Sequence, residues 1–299
     1  MSVEAVAERH AARQVTLGRE TSLELARLWR QVDAGDIRGS WRGMLERALA
    51  ILGTSQATAA ASAGSYVDDA LEEQGLDADA EGRVMPGAFA GIASDGRPLA
   101  SLLEEPSISA LSYIKKGATP ERALTSGGFV LDMISRTQVA DAGRTAVGTA
   151  IVARPEVGGY VRMIVGKTCS RCLILAGRRY EWNAGFRRHP RCDCRHIPVA
   201  ESVPDDVRVN PRAYFDSLPA AEQDQLLGKA GAQAVREGAD MAKVVNARRE
   251  NAMYTADGRL YTREAAGKRP RLMPEQIFRD AKDRDDAIRL LKLHGYITR

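Results

Sequence analysis

All four cysteines of this 299-residue chain and two of its four histidines fall between Cys169 and His196. The stretch opens with Cys169-Ser-Arg-Cys172 and, after nineteen intervening residues, reaches Cys192-Asp-Cys194, with His189-Pro190 just before and Arg195-His196 just after. A C-x2-C pair lets one turn offer two sulfurs to a single ion, and a second cluster about twenty residues on completes a tetrahedron of nitrogen and sulfur ligands. Cys169 and Cys172 form the first pair. Cys192 and Cys194, at i and i+2, share one side of an extended strand and rank next; His189 with Cys192 is the other possible second pair, and His196 is the last candidate. With that many soft ligands the site closes without water, so the ion expected is a structural Zn2+ rather than a catalytic one.

Two disulfides, or reduced cysteines that are merely buried, are the plainer readings. The first apolar residues are broken by Glu4, Glu8, Arg13 and Arg19, so no secretory leader is expected and the compartment disfavours disulfides. Burial alone rarely gathers every cysteine of a chain into one short segment. A [2Fe–2S] cluster or a redox use of the C-x2-C pair lacks its flanking pattern.

The elements that must hold this stretch read as helices. Leu25, Leu28, Trp29 and Val32 share one face up to Gly35, and Trp41, Leu45, Ala48, Leu49 and Leu52 form a second stripe stopping at Gly53. An alanine-rich third helix is expected over 56–74, a loop or linker over 75–97, and short helices near Leu99 and over 107–116. Thr119-Pro120-Glu121 has the form of an N-cap with Pro at the first helical position, and the helix behind it is expected to kink or divide at Gly127-Gly128. The two tryptophans among leucines are expected core anchors. At Tyr160 the period becomes alternating, which predicts a strand leading into Cys169, a return strand at Tyr180-Glu-Trp182 and a last short strand from Cys192 to Val199. Trp182 and Phe186 are the expected cover of the metal, and an ion supplies much of the folding free energy where aliphatic residues are few. Beyond Pro204 come short helices, a hairpin about Asp257-Gly258, and a last helix from Pro274 to Gly295.

The expected class is mainly α: a helical region over 1–97, a second region over 98–200 ending in a small zinc-stapled, β-containing module (160–200), and a helical C-terminal region over 201–299. No apolar run approaches twenty residues, so no membrane span is expected. The net charge is only +4, yet residues 160–200 carry nine Arg or Lys against Glu181 and Asp193. That charge could face nucleic acid, or Arg171, Arg191 and Arg195 could offset zinc-bound thiolates.

The strand into Cys169-x-x-Cys172, then Leu175-Ala-Gly177, Phe186-x-x-His189-Pro190-x-Cys192-x-Cys194 and Pro198, resembles the closing signature of the Mu F-like minor head proteins of tailed bacteriophages. Ile134-Ser-Arg136-Thr137-Gln138 resembles that family's Arg-Thr-Glu helix, with Gln138 in the place of the acid. Tyr214-Phe-Asp216-Ser-Leu218, Lys229-Ala-Gly231-Ala-Gln233, Val245-Asn246-Ala-Arg248-Arg249 and Leu290-Leu291…Gly295-Tyr296-Ile297 resemble the versions in phages of actinobacteria. The resemblance covers roughly residues 100–200, and the actinophage variant nearly the whole chain. It implies a structural virion component in few copies, in the head interior or at the portal vertex. Its implied partners are portal or major capsid protein and packaged double-stranded DNA, with a role in head assembly, packaging or ejection.

Two alternatives stand beside it. A capsid maturation protease needs a nucleophile, a base and an oxyanion hole together. Ser126-Gly127-Gly128 is the only stretch resembling a nucleophile turn, with His10, His294 or a metal-site histidine as base, and neither Gly-x-Ser-x-Gly nor His-Glu-x-x-His occurs. A zinc-dependent nucleic-acid binder rests on the basic stretch alone. No catalytic residue is expected.

Overall fold

Ser2 caps the first helix by accepting the Ala5 N–H at 3.3 Å, and α1 then runs over Val3–Trp29. Its buried face begins with Val3, Val6, Ala7, His10, Ala11, Gln14 and Gly18. Small and polar residues fill most of that face, so the leucine stripe marks only the last turns. The computed structural model describes residues 2–77, 79–164, 168–184, 195–199, 210–249, 251–263 and 270–298. The chain divides into two compact units, Met1–Gly166 with Arg178–Arg208, and Lys167–Gly177 with Val209–Arg299. Among the described residues the fold is mostly helical, with two three-stranded antiparallel sheets, and no helix is long and apolar enough to cross a membrane.

In the first unit α1 is followed by α2 (Ile37–Ala61), α3 (Ala63–Glu72), α4 (Leu99–Leu103), α5 (Glu105–Lys115) and α6 (Pro120–Val152). The stop expected at Gly53 is absent: α2 runs on to Ala61, and within that extension its buried Gln56 grips the later loop. The Gln56 amide donates to Ile92 O and accepts the Gly91 N–H, at 2.9 and 3.0 Å. The single helix expected over 56–74 is instead broken at Ser62, whose hydroxyl bonds Ala59 O and receives the Gln14 amide. Nor does α6 divide at its double glycine. A Cβ at Gly127 would lie 2.4 Å from the Trp29 ring and 2.7 Å from Pro106 O, so the glycines let α1 and α5 approach without bending α6. The tryptophans are core anchors as expected: Trp29 and Trp41 meet edge to face at 4.9 Å, donating to Leu124 O and Leu103 O.

A sheet packs on α1, α3 and α6. It comprises β1 (Gly159–Met163), β2 (Arg179–Glu181) and β3 (Arg195–Val199) in the order β2-β1-β3, with Tyr160 opposite Tyr180 and Pro198. The strand expected at Tyr160 is present, but β1 is buried at all five positions rather than on alternate ones. The edge strand β3 is covered from the α3 side, where Tyr66 Oη donates to His196 O at 2.6 Å and Gln74 Nε2 to Pro198 O at 2.9 Å. A proline is tolerated on such an edge.

The second unit holds α7 (Ser170–Leu173), α8 (Pro211–Ser217), α9 (Ala220–Leu227), α10 (Lys229–Arg236) and α11 (Met241–Asn246). The hairpin β4 (Met253–Ala256) and β5 (Arg259–Thr262) turns at Asp257 and Gly258, with φ of 50° and 71°, as the Asp-Gly pair predicts. A two-residue strand β6 (Arg271–Leu272), too short to leave a periodic signal, adds to β5. The expected last helix is two, α12 (Pro274–Asp280) and α13 (Arg284–Leu293), because Asp283 starts a new one by accepting the Asp286 N–H at 2.8 Å.

Candidate metal centre

Cys169 is the N-cap of α7. Its backbone is extended, and its sulfur accepts the Cys172 N–H at 3.4 Å. An amide aimed at sulfur favours the thiolate, the form that binds metal. Cys172 is buried, one turn on, beside fully buried Leu173. The turn is held within its unit by Arg171, which donates to Asn246 Oδ1 on α11 at 3.3 Å. Two sulfurs on one short turn, one already supported by an amide, match what a thiolate-binding ion such as Zn2+ requires of half its shell.

The other half of the expected set, Cys192, Cys194 and His189, lies outside the described residues. Among the described residues no group of three or more His, Cys, Asp or Glu gathers as a metal site. His196 is described, and its ring lies against Tyr160 with centroids 4.2 Å apart. Trp182, expected as part of the metal's cover, is half exposed; Phe186 lies outside the described residues.

Of the residues that a protease would use, Ser126 and His10 are described in the first unit and His294 in the second. Ser126 is inside the continuous α6, its hydroxyl 3.3 Å from that of Ser109, so the stretch serves helix packing rather than a strained turn. His10 stands nineteen residues, about 28 Å of helix, from the Trp29 that abuts Gly127. His294 accepts the Leu272 N–H through Nδ1, and burial, then Arg271, keeps its imidazole below its ordinary pKa.

His10 is buried instead as a neutral ring stacked on Tyr66 at 4.2 Å. Burial, followed by Arg195 and Arg13, brings its pKa down to about 3. An unfolded histidine titrates near 6.5. The fold therefore favours the neutral form, and this contribution to stability is complete above about pH 6.5 and lost as pH falls toward 3, by up to about 1.4 kcal/mol per unit. Thermal denaturation from pH 7 to pH 4 should show Tm falling, with a shallower slope in His10→Phe, which keeps a ring on Tyr66. An unchanged slope in that variant would contradict the assignment.

Sequence reasoning missed a polar seam on α6. The Ser94 N–H donates to Gln138 Oε1 at 2.9 Å, its hydroxyl, 3.1 Å from the same oxygen, donates its one proton to Asp141 Oδ2 at 2.7 Å, and Arg144 Nη1 donates to Asp141 Oδ1. The signal was present as Gln138, Asp141 and Arg144, spaced by three on an otherwise apolar helix face. The seam ties the loop before α4 to α6.

A family model described as VG15 protein matches residues 1–221, about three-quarters of the chain. No curated protein and no solved structure matches it.

Proposed function

The chain belongs to the VG15 protein family, and from that premise we propose that it is a structural minor head protein of a tailed bacteriophage, of Mu F-like type, bound at the portal or the inner capsid surface. The observation that carries this reading is the Cys169–Cys172 turn, whose amide-supported sulfur suits the role that the His189-Pro190-x-Cys192-x-Cys194 ending of the same signature demands. A structural Zn2+ is held by Cys169 and Cys172 with two of Cys192, Cys194 and His189. When bound, such an ion would add its binding free energy to folding. Around it, Cys172 N–H supports the Cys169 sulfur, and Arg171 fixes the turn through Asn246. No catalytic step is assigned. The basic charge of residues 160–200 lies near packaged DNA.

Cosedimentation of the purified chain with portal protein and with capsid protein tests the reading. Binding to at least one, little changed between about 50 and 200 mM salt, is expected. Binding only to duplex DNA, with an affinity falling steeply over that range, would replace it with the nucleic-acid reading. Defined cuts in capsid protein that disappear in Ser126→Ala would replace it with the protease.

A further inference from the structure

The inner face of helix α5 carries fully buried Ser107 and Ala110 beside partly buried Ile114, which packs on the apolar core, while Ile108 and Leu111 point outward at 47% and 38% exposure. The small residues have a cause within the unit, since α5 lies close enough to α6 for Pro106 O to crowd Gly127 and for Ser109 to meet Ser126. The described residues of the unit leave the two large aliphatic residues on the other side exposed.

Those residues sit in an ordered stripe. Glu104, Ile108, Leu111 and Lys115 follow at spacings of four, three and four, which at 100° per residue places all four on one face. The stripe reads the same in reverse with the charges exchanged. Laid antiparallel on a second copy, Ile108 meets Leu111, Leu111 meets Ile108, and Glu104 at each end meets Lys115. Glu105 and Lys116 flank the same pairs. Both Glu104 oxygens face Arg42, at 3.1 and 3.5 Å, and 21% of the side chain stays exposed, so Lys115 of a second copy would share that carboxylate with Arg42. A two-fold axis requires this kind of self-complementarity, in which a patch matches its own copy.

We infer that α5 is a homotypic docking face, on which two copies of this chain pair antiparallel through Ile108 and Leu111 with Glu104–Lys115 ion pairs at both ends. Two apolar residues per copy cover far less than the about 1,200 Å2 of a stable interface. The pair is therefore transient, with a dissociation constant on the order of 0.1–1 mM. It forms where copies are held close together.

Analytical ultracentrifugation of the full chain up to about 1 mM at low salt tests this. Concentration-dependent dimer is expected, weakened about tenfold in Lys115→Glu and in Leu111→Ser, both exposed positions that leave the fold intact. Glu104→Lys alone should also fail to pair. An equimolar mixture of Glu104→Lys and Lys115→Glu should dimerise again, because each copy then offers the charge that the other lacks. A chain monomeric throughout, as expected if another protein's helix is the occupant, would overturn the inference. So would a dimer indifferent to Leu111→Ser, or a mixture that fails to recover.

Discussion

Serine in place of Cys169 is expected to reduce bound zinc from about one ion per chain to none and to lower stability by more than about 3 kcal/mol, within the reach of an ion whose apparent binding free energy in zinc-finger peptides is about 10–16 kcal/mol. The substitution is informative because it spares the local structure. Cys169 caps α7 through an acceptor aimed at the Cys172 N–H, and a serine hydroxyl is among the best residues for that task. A loss of stability in Cys169→Ser therefore reports the missing ligand rather than a missing cap. Cys172→Ser should cost more, since it also places a hydroxyl at a buried position. Mass spectrometry of metal content beside a thermal melt checks both. Zinc retained in His189→Ala but lost in Cys194→Ser assigns the four-cysteine set, and the opposite pattern assigns His189. Protein purified reduced and without chelator that holds no zinc, or a Cys169→Ser chain that keeps it, would remove the metal from this account.

What the sequence disclosed, and what it hid, follows from where each element keeps its information. Trp29, Trp41 and the Asp257-Gly258 turn were legible because large apolar rings and a left-handed turn each leave a local mark. The first six turns of α1 were not, because a helix packed on neighbours by Gly18, Ala7 and Gln14 shows little periodicity. Gly53 and Gly127 both mislead, and only the second is crowded. A glycine read alone suggests a break, whereas here Gly127 marks a place where a partner's ring or carbonyl comes too near for a Cβ. The C-terminal motifs acquire a packing explanation in the same way. Gly231 is small because the Arg248 guanidinium passes about 3.0 Å from where its Cβ would be, and that guanidinium goes on to Glu275 at 2.6 Å. Buried Tyr296 bonds Leu272 O through its hydroxyl, and its carbonyl accepts the Asp240 N–H at 2.7 Å. Of the candidate site, the first sulfur pair was legible from spacing alone; the amide that supports it depends on α7 being a helix, which four residues cannot announce.

The helical unit should depend most on Trp41. Its side chain is fully buried, its ring meets Trp29 edge to face, and its indole N–H donates to Leu103 O at 2.7 Å, joining α2 to the end of α4. Trp41→Ala removes the ring's contacts and leaves a cavity in the apolar cluster that also holds Leu25, Leu28 and Leu99, for which buried aromatic truncations cost about 3–5 kcal/mol. At roughly 2–4 °C per kcal/mol for a unit of this size, Tm should fall by on the order of 10 °C. Trp41→Phe separates the two contributions. It keeps most of the apolar surface but withdraws the donor from Leu103 O, so about 1–3 kcal/mol should be lost with the smaller volume change. Trp29→Phe also breaks a bond, to Leu124 O, but Trp29 is less deeply buried, and its loss should be the smaller of the two. Because the rings touch, the double Phe variant should be less destabilised than the sum of the singles, by about 0.5–1.5 kcal/mol. Calorimetry of the four proteins checks this. Additive losses would mean that the rings contribute by burial alone, and a Trp41→Ala chain within about 1 kcal/mol of the parent would mean that the core of this unit is centred elsewhere.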